Sequence, residues 1–211
     1  MDSLSSAGFM TLAAAGSDSL EQLTSLWLPI VASAAGVWIT SAVAWMAIGH
    51  HQKDTIGLPN EDALLEHLRS IPPGSYSFPH PGDRKNCNTP EFKAKWEKGP
   101  SGTLNVWGPF SMGKNMVLTL LVYLVISFLI AYVATLAIQP GHTRMDVFRI
   151  IGTIGVLAYT FSRLPNDIWF KTSNRAIVTN LIDGIAFGLV TGAIFAALWP
   201  MAEAPKLPVI G

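Results

Sequence analysis

Residues 26–48, 116–138 and 177–199 form three long apolar stretches that hold a single charge among them, Asp183. A helix rises 1.5 Å per residue, so about 20 apolar residues cross a hydrocarbon core of about 30 Å, and each stretch has that length. A fourth stretch, residues 147–163, is shorter and carries Arg149 near its start, from where a long side chain can reach a membrane interface. Backbone groups in lipid must find partners inside their own segment, and none of the four stretches alternates as barrel strands do. The expectation is an all-α membrane protein built as a four-transmembrane-helix bundle. Charged residues make up only 13% of the chain, about half the share in an ordinary soluble domain, as a lipid-dissolved bundle requires.

Basic residues orient the bundle. Eleven of the fourteen fall between the first and second stretches or from the end of the third, Arg163, to the start of the fourth, and Lys53, Lys114, Arg163, Lys171 and Arg175 among them lie close to stretch ends. The positive-inside tendency places that side in the cytoplasm of a bacterial inner membrane and both termini in the periplasm. Residues 1–25 contain no Lys or Arg and no continuous apolar core, so they read as an outer-face tail rather than a signal peptide, with residues 200–211 as the second outer tail. Trp27 and Trp199 are expected at the outer interface, Trp45 and Trp169 at the inner one, and Trp38 at mid-depth against protein or lipid.

Small residues favour close helix approach where the hydrophobic effect cannot drive association. Gly184, Gly188, Gly192 and Ala196 recur every four residues and form a candidate packing ridge on the fourth stretch. Gly36, Thr40 and Ala44 on the first, and Gly152 and Gly155 on the third, are shorter versions. Such a ridge serves packing within the bundle or docking onto another subunit.

Residues 49–115 are too many for a simple connection and are expected to form a small α+β cytoplasmic cap. Asn60 is placed to cap a helix bearing Leu64, Leu65, Leu68 and Ile71 on one face, ended by Pro72-Pro73-Gly74. Thr89-Pro90 begins a second helix that Gly99 stops. Tyr76 to Phe78 and Thr103 to Trp107 have the alternation of short strands.

Within the cap, Gly108 to Asn115 fits a phosphate loop up to its last residue, where Asn115 replaces the hydroxyl that binds magnesium. Pro109 also removes an amide donor, so Lys114 reads as an interfacial anchor. His50, His51, His67, His80 and Cys87 are of metal-ligating type, but no pair within the loop has the spacing of a recognisable metal site. His50-His51 could face a haem or quinone, although solvated histidines are the simpler reading, and Cys87 has no base or third partner that would make it a nucleophile. No metal, cofactor or catalytic residue is therefore expected.

Asp183 is the one acid well inside an apolar stretch. With Asn180 three residues earlier on nearly the same face, it is a candidate intramembrane polar site for a proton or cation. The alternative is a carboxylate paired with Arg163, Arg175 or a histidine at the inner end of the first stretch, holding one helix against another.

The run Ile71-Pro72-Pro73-Gly74-Ser75-Tyr76-Ser77-Phe78-Pro79 is one part of a wider pattern. With Gly108-Pro109, Met112 to Met116, Ile168-Trp169-Phe170 and the terminal glycine ridge, it resembles a group of small bacterial four-helix membrane proteins with no established activity. The resemblance implies an inner-membrane setting and no catalysis. The functional expectation is a non-catalytic accessory or scaffolding subunit, with the bilayer and other membrane subunits or itself as partners and no nucleic acid. The alternative is a small oligomeric transporter or channel with Asp183 in its path.

Overall fold

The computed structural model describes residues 21–138 and 142–200. Most of the two expected tails, with Lys206, lies outside the described residues. Four helices, Trp27–Ile48, Met112–Ala137, Arg144–Trp169 and Asn174–Leu198, are long and apolar enough to cross a membrane.

All four differ from their sequence boundaries, and the fourth starts early, at Asn174, because the Ser173 side chain accepts a hydrogen bond from the Ala176 amide. Residues 21–25, expected as tail, are helical and lead through a turn at Leu26, which is fully buried. The second helix starts at Met112 because the Ser111 side chain accepts a hydrogen bond from the Lys114 amide, satisfying one of the free donors of the first turn. The third starts at Arg144 because Thr143 and Asp146 form a reciprocal capping box. It continues through a π-helical turn, Leu157–Phe161, into the short helix Leu164–Trp169, whose Pro165 lies in a first turn where no amide bond is lost. This segment is thus longer than the apolar stretch that announced it.

The glycine ridge is used inside the chain. A Cβ built on Gly192 would lie 2.9 Å from the Gly152 Cα and 2.9 Å from the Phe148 carbonyl oxygen, and one on Gly184 would lie 2.9 Å from the Tyr159 carbonyl oxygen. At Gly188 the obstructing group is the Val156 backbone. Third and fourth helices therefore meet backbone to backbone, at a distance only glycine allows. Gly36 performs a similar task for the first helix, where a Cβ would meet the Ile194 side chain at 2.6 Å. Polar links join the first helix to the second: Ser33 Oγ donates to Ser127 Oγ at 3.0 Å in the buried interior, and Trp38 Nε1 donates to the Met116 carbonyl at 3.1 Å.

Apolar packing concentrates toward the end bearing the termini, around Leu26, Ile30, Ile130, Ile151 and Phe195. Trp199 is buried there beside Phe195. Arg144 closes this end by donating to the Ala197 carbonyl at 2.8 Å, satisfying a free acceptor of the fourth helix.

The segment between the first two long helices has the expected mixture of elements. Helices Glu61–Leu68 and Pro90–Lys98 flank an antiparallel pair of strands, Gly74–Phe78 and Gly102–Val106, in the register Gly74 to Val106 and Phe78 to Gly102. Thr89 caps the second helix through the Phe92 amide, as its position requires. Asn60 occupies the N-cap position of the first but sits in left-handed backbone with no side-chain cap bond. No residue from 52 to 115 is buried.

A methyl group on Gly188 has no space, whereas one on Gly113 meets nothing within 4 Å. Gly188→Ala is expected to destabilise the bundle by about 1–3 kcal/mol through overpacking, and Gly113→Ala to leave it unchanged or slightly firmer. Thermal unfolding of the detergent-solubilised variants measures both.

Candidate functional site

Gly49 ends the first long helix. Its φ of 64° lies in the left-handed region, which glycine enters without steric cost, and the chain turns there into a short 3₁₀ helix, His50–Lys53. The turn carries two consecutive histidines back toward the fourth helix. There Asp183 is held at the interior by its neighbour Gly184, which lies against the backbone of Tyr159 and Thr160.

Both oxygens of Asp183 are engaged. His50 Nε2 lies 2.9 Å from Oδ1 and His51 Nε2 lies 2.9 Å from Oδ2. On the far side of the His51 ring, Nδ1 lies 2.6 Å from Asp54 Oδ2. A carboxylate can only accept, so a histidine bonded to one at each nitrogen donates from both and carries the imidazolium charge. His51 is only 5% exposed and Asp183 only 8%, while His50 is half-buried. The indole of Trp45 stacks on His51 with ring centroids 4.0 Å apart and planes 8° from parallel, covering the ring with an apolar wall.

A second layer fixes these groups. Thr179, one helical turn before Asp183, donates its hydroxyl to Asp54 Oδ2 at 2.6 Å. Arg175 Nε stands 3.2 Å from Asp54 Oδ1, and its Nη2 donates to the His50 carbonyl at 2.9 Å. The Arg175–Asp54 contact is an ion pair without hydrogen-bond alignment, since Asp54 Oδ1 has no hydrogen-bonding partner. Two cations and two carboxylates are thereby interleaved across the junction of the first and fourth helices.

Burial works against the charge on His51, but its hydrogen bonds to Asp183 and Asp54 outweigh that cost and raise its pKa above the ordinary histidine value. Asp54 is held below the ordinary carboxylate range, first by the Thr179 hydroxyl and then by His51 and Arg175.

Of the partners considered for Asp183, it takes the histidines. Arg163 pairs with Asp167 at 3.2 Å, a buried carboxylate that also accepts from Thr172, and Arg175 pairs with Asp54. Asn180 is half-buried and makes no side-chain hydrogen bond among the described residues, so the structure does not join it to Asp183. His67, His80 and Cys87 lie apart from the centre and exposed. The loop alone does not contain a metal set, because the third donor comes from another helix: His50, His51 and Asp183 offer three ligand atoms within 4.8 Å of one another. Asp54 and Thr179 also escaped the sequence reading. Their signal was the spacing His51 to Asp54 and Thr179 to Asp183, each a single helical turn.

The phosphate-loop pattern has no matching geometry. The strand before it belongs to a two-stranded antiparallel pair, and the Ser111 hydroxyl takes the Lys114 amide that a phosphate would need. A shallow cavity of about 530 Å³ lies beside it, lined by Gly74, Ser75, Trp107, Phe110 and Lys114 among others.

Comparison with protein-family models, curated proteins and solved structures finds no match to this chain.

The raised pKa of His51 makes its contribution complete below the ordinary histidine pKa and lost as pH rises through the higher folded value. The lowered pKa of Asp54 makes its contribution complete above the ordinary carboxylate pKa and lost as pH falls through the lower folded value. Thermal stability in chelator-containing buffer should be flat between those two ordinary ranges and fall on either side, and His51→Gln should remove the alkaline decline. Asp183→Asn, which leaves two histidines facing a neutral amide, should cost about 1–3 kcal/mol in the same assay at neutral pH.

Proposed function

We propose that this chain is a multi-pass protein of a bacterial inner membrane, with both termini in the periplasm, and that it acts as a non-catalytic accessory or scaffolding subunit. It presents the segment between its first two helices to another membrane protein at the cytoplasmic face. The four long helices support insertion, since they expose large apolar side chains such as Leu121, Val125, Phe128 and Leu129 outward. The crowding of Lys and Arg at the other end from the termini supports the orientation.

One observation carries the subunit reading. No residue from 52 to 115 is fully buried, and Ile56 is 91% exposed, Trp107 80%, and Phe110 and Trp96 more than half exposed. Apolar surface of this kind, on a segment with its own strands and helices, marks an interaction site. The glycine ridge does not supply it, because the third helix already covers that face.

A second reading, a small oligomeric transporter with Asp183 in its path, is favoured by one feature, a buried carboxylate in an otherwise apolar helix. The engagement of both oxygens by histidines weighs toward a fixed tie between helices.

Gentle solubilisation from the native membrane, followed by size exclusion and mass spectrometry, separates the two. The subunit reading expects a stoichiometric membrane-protein companion whose recovery drops at least severalfold with Trp96→Ala and Trp107→Ala combined, while the chain itself stays folded. Migration alone or as a homo-oligomer, together with a vesicle flux lost in Asp183→Asn, would instead establish transport.

A further inference from the structure

The centre at the inner end of the bundle has more order than a tie between two helices needs. Two imidazole Nε2 atoms and a carboxylate converge from segments some 130 residues apart, and all three donor atoms lie within 4.8 Å of one another. We propose that His50, His51 and Asp183 bind one divalent transition-metal ion of the zinc class, with a water molecule as fourth ligand and Asp54 as the outer partner of His51.

Donor chemistry selects the ion. Imidazole nitrogen suits zinc and its neighbours, whereas magnesium and calcium take oxygen ligands. Two nitrogens and one carboxylate with a fourth position open is a common zinc arrangement, and metal–ligand bonds of about 2.0–2.2 Å put tetrahedral donors about 3.3 Å apart. Each Nε2 already lies 2.9 Å from an Asp183 oxygen and all three donors lie within 4.8 Å, so loading requires side-chain adjustment rather than a refolded turn.

The surroundings have the form that metal sites use. Metal-bound histidines donate their second ring nitrogen to a carboxylate or carbonyl, which fixes tautomer and ring orientation. His51 does this through Nδ1 to Asp54 at 2.6 Å, and Asp54 is itself anchored by Thr179 at 2.6 Å and faced by Arg175. Arg175 also holds the His50 backbone by its carbonyl. Trp45 stacks on the His51 ring and the His50 ring packs against it at 4.3 Å, while the His50 side chain, 24% exposed, gives solvent and a hydrated ion a route to the centre. Such a centre would fasten the cap to the bundle in a metal-dependent manner.

The exchange balances simply. His51 loses its Nε2 proton to solvent and gives that lone pair to the metal, keeping its Nδ1 proton on Asp54. His50 ligates through Nε2, any proton on that nitrogen passing to Nδ1 or to solvent. Asp183 exchanges its two hydrogen bonds for a metal bond.

Full-length protein without a polyhistidine tag, purified in mild detergent and stripped with chelator, is titrated with Co²⁺ and separately with Zn²⁺. The expected result is about one equivalent bound, visible absorption bands of four-coordinate Co²⁺ that Zn²⁺ displaces, and a higher melting temperature with Zn²⁺. His50→Gln, at the half-buried ligand, should abolish the bands, and the exposed pair His67→Ala and His80→Ala should retain them. Asp54→Asn, which leaves all three ligands in place, should weaken Co²⁺ binding roughly 10–100-fold. Folded wild-type protein that gives no Co²⁺ bands and no melting shift, or bands that persist in His50→Gln and vanish in the His67/His80 variant, would overturn the proposal and leave a hydrogen-bonded clamp alone.

Discussion

How closely the fourth helix can lie against the third governs the end of the bundle that holds His50, His51 and Asp183. Gly184, Gly188 and Gly192 present no Cβ to that contact, and the backbones of Tyr159, Val156 and Gly152 come close instead. Such contact gains dispersion over a long line of atoms. It also fixes the rotation of the fourth helix. Once Gly184 must face Thr160, Asp183 beside it has a determined direction, and that direction is toward the turn after the first helix.

The consequence is a polar centre at a place where an apolar bundle can tolerate one. Asp183 would be costly if left unpaired, because a buried carboxylate without partners forfeits its hydration. Two histidines accept that role, and Asp54, Thr179 and Arg175 complete the remaining bonds. Positive and negative groups alternate across the junction, so each charge has an opposite neighbour. Gly49 makes the arrangement possible by letting the chain reverse within one residue of the helix end.

The segment beyond that turn has the opposite character. Its strands pair and its helices are capped, but no residue from 52 to 115 is buried, and the leucines at 64, 65 and 68 gather no core around them. Local signals alone built these elements: Thr89 with Pro90 starts one helix, Gly99 stops it, and the strands lie where alternation placed them. The bundle is held by its interior, while the cap is held by local geometry and offers its apolar groups outward.

Number and type of the long helices were legible in the sequence because the cost of unpaired backbone in lipid leaves only one solution for apolar runs of that length. Capping residues were legible for the same kind of reason, since their bonds span only three residues; the capping box of Thr143 and Asp146 could have extended the third helix to its true start. The ridge of glycines announced close packing, and three separate candidates for the partner of Asp183 were visible. Tertiary structure alone chose among them. Which face of the third helix meets the ridge, and whether an arginine or the histidines reach Asp183, depends on how separate helices pack, across as many as 133 residues of sequence, and no local rule of spacing encodes that. The same limit hid the third donor of the histidine cluster, which becomes a neighbour of His50 and His51 only when the glycine contact has set the fourth helix in place.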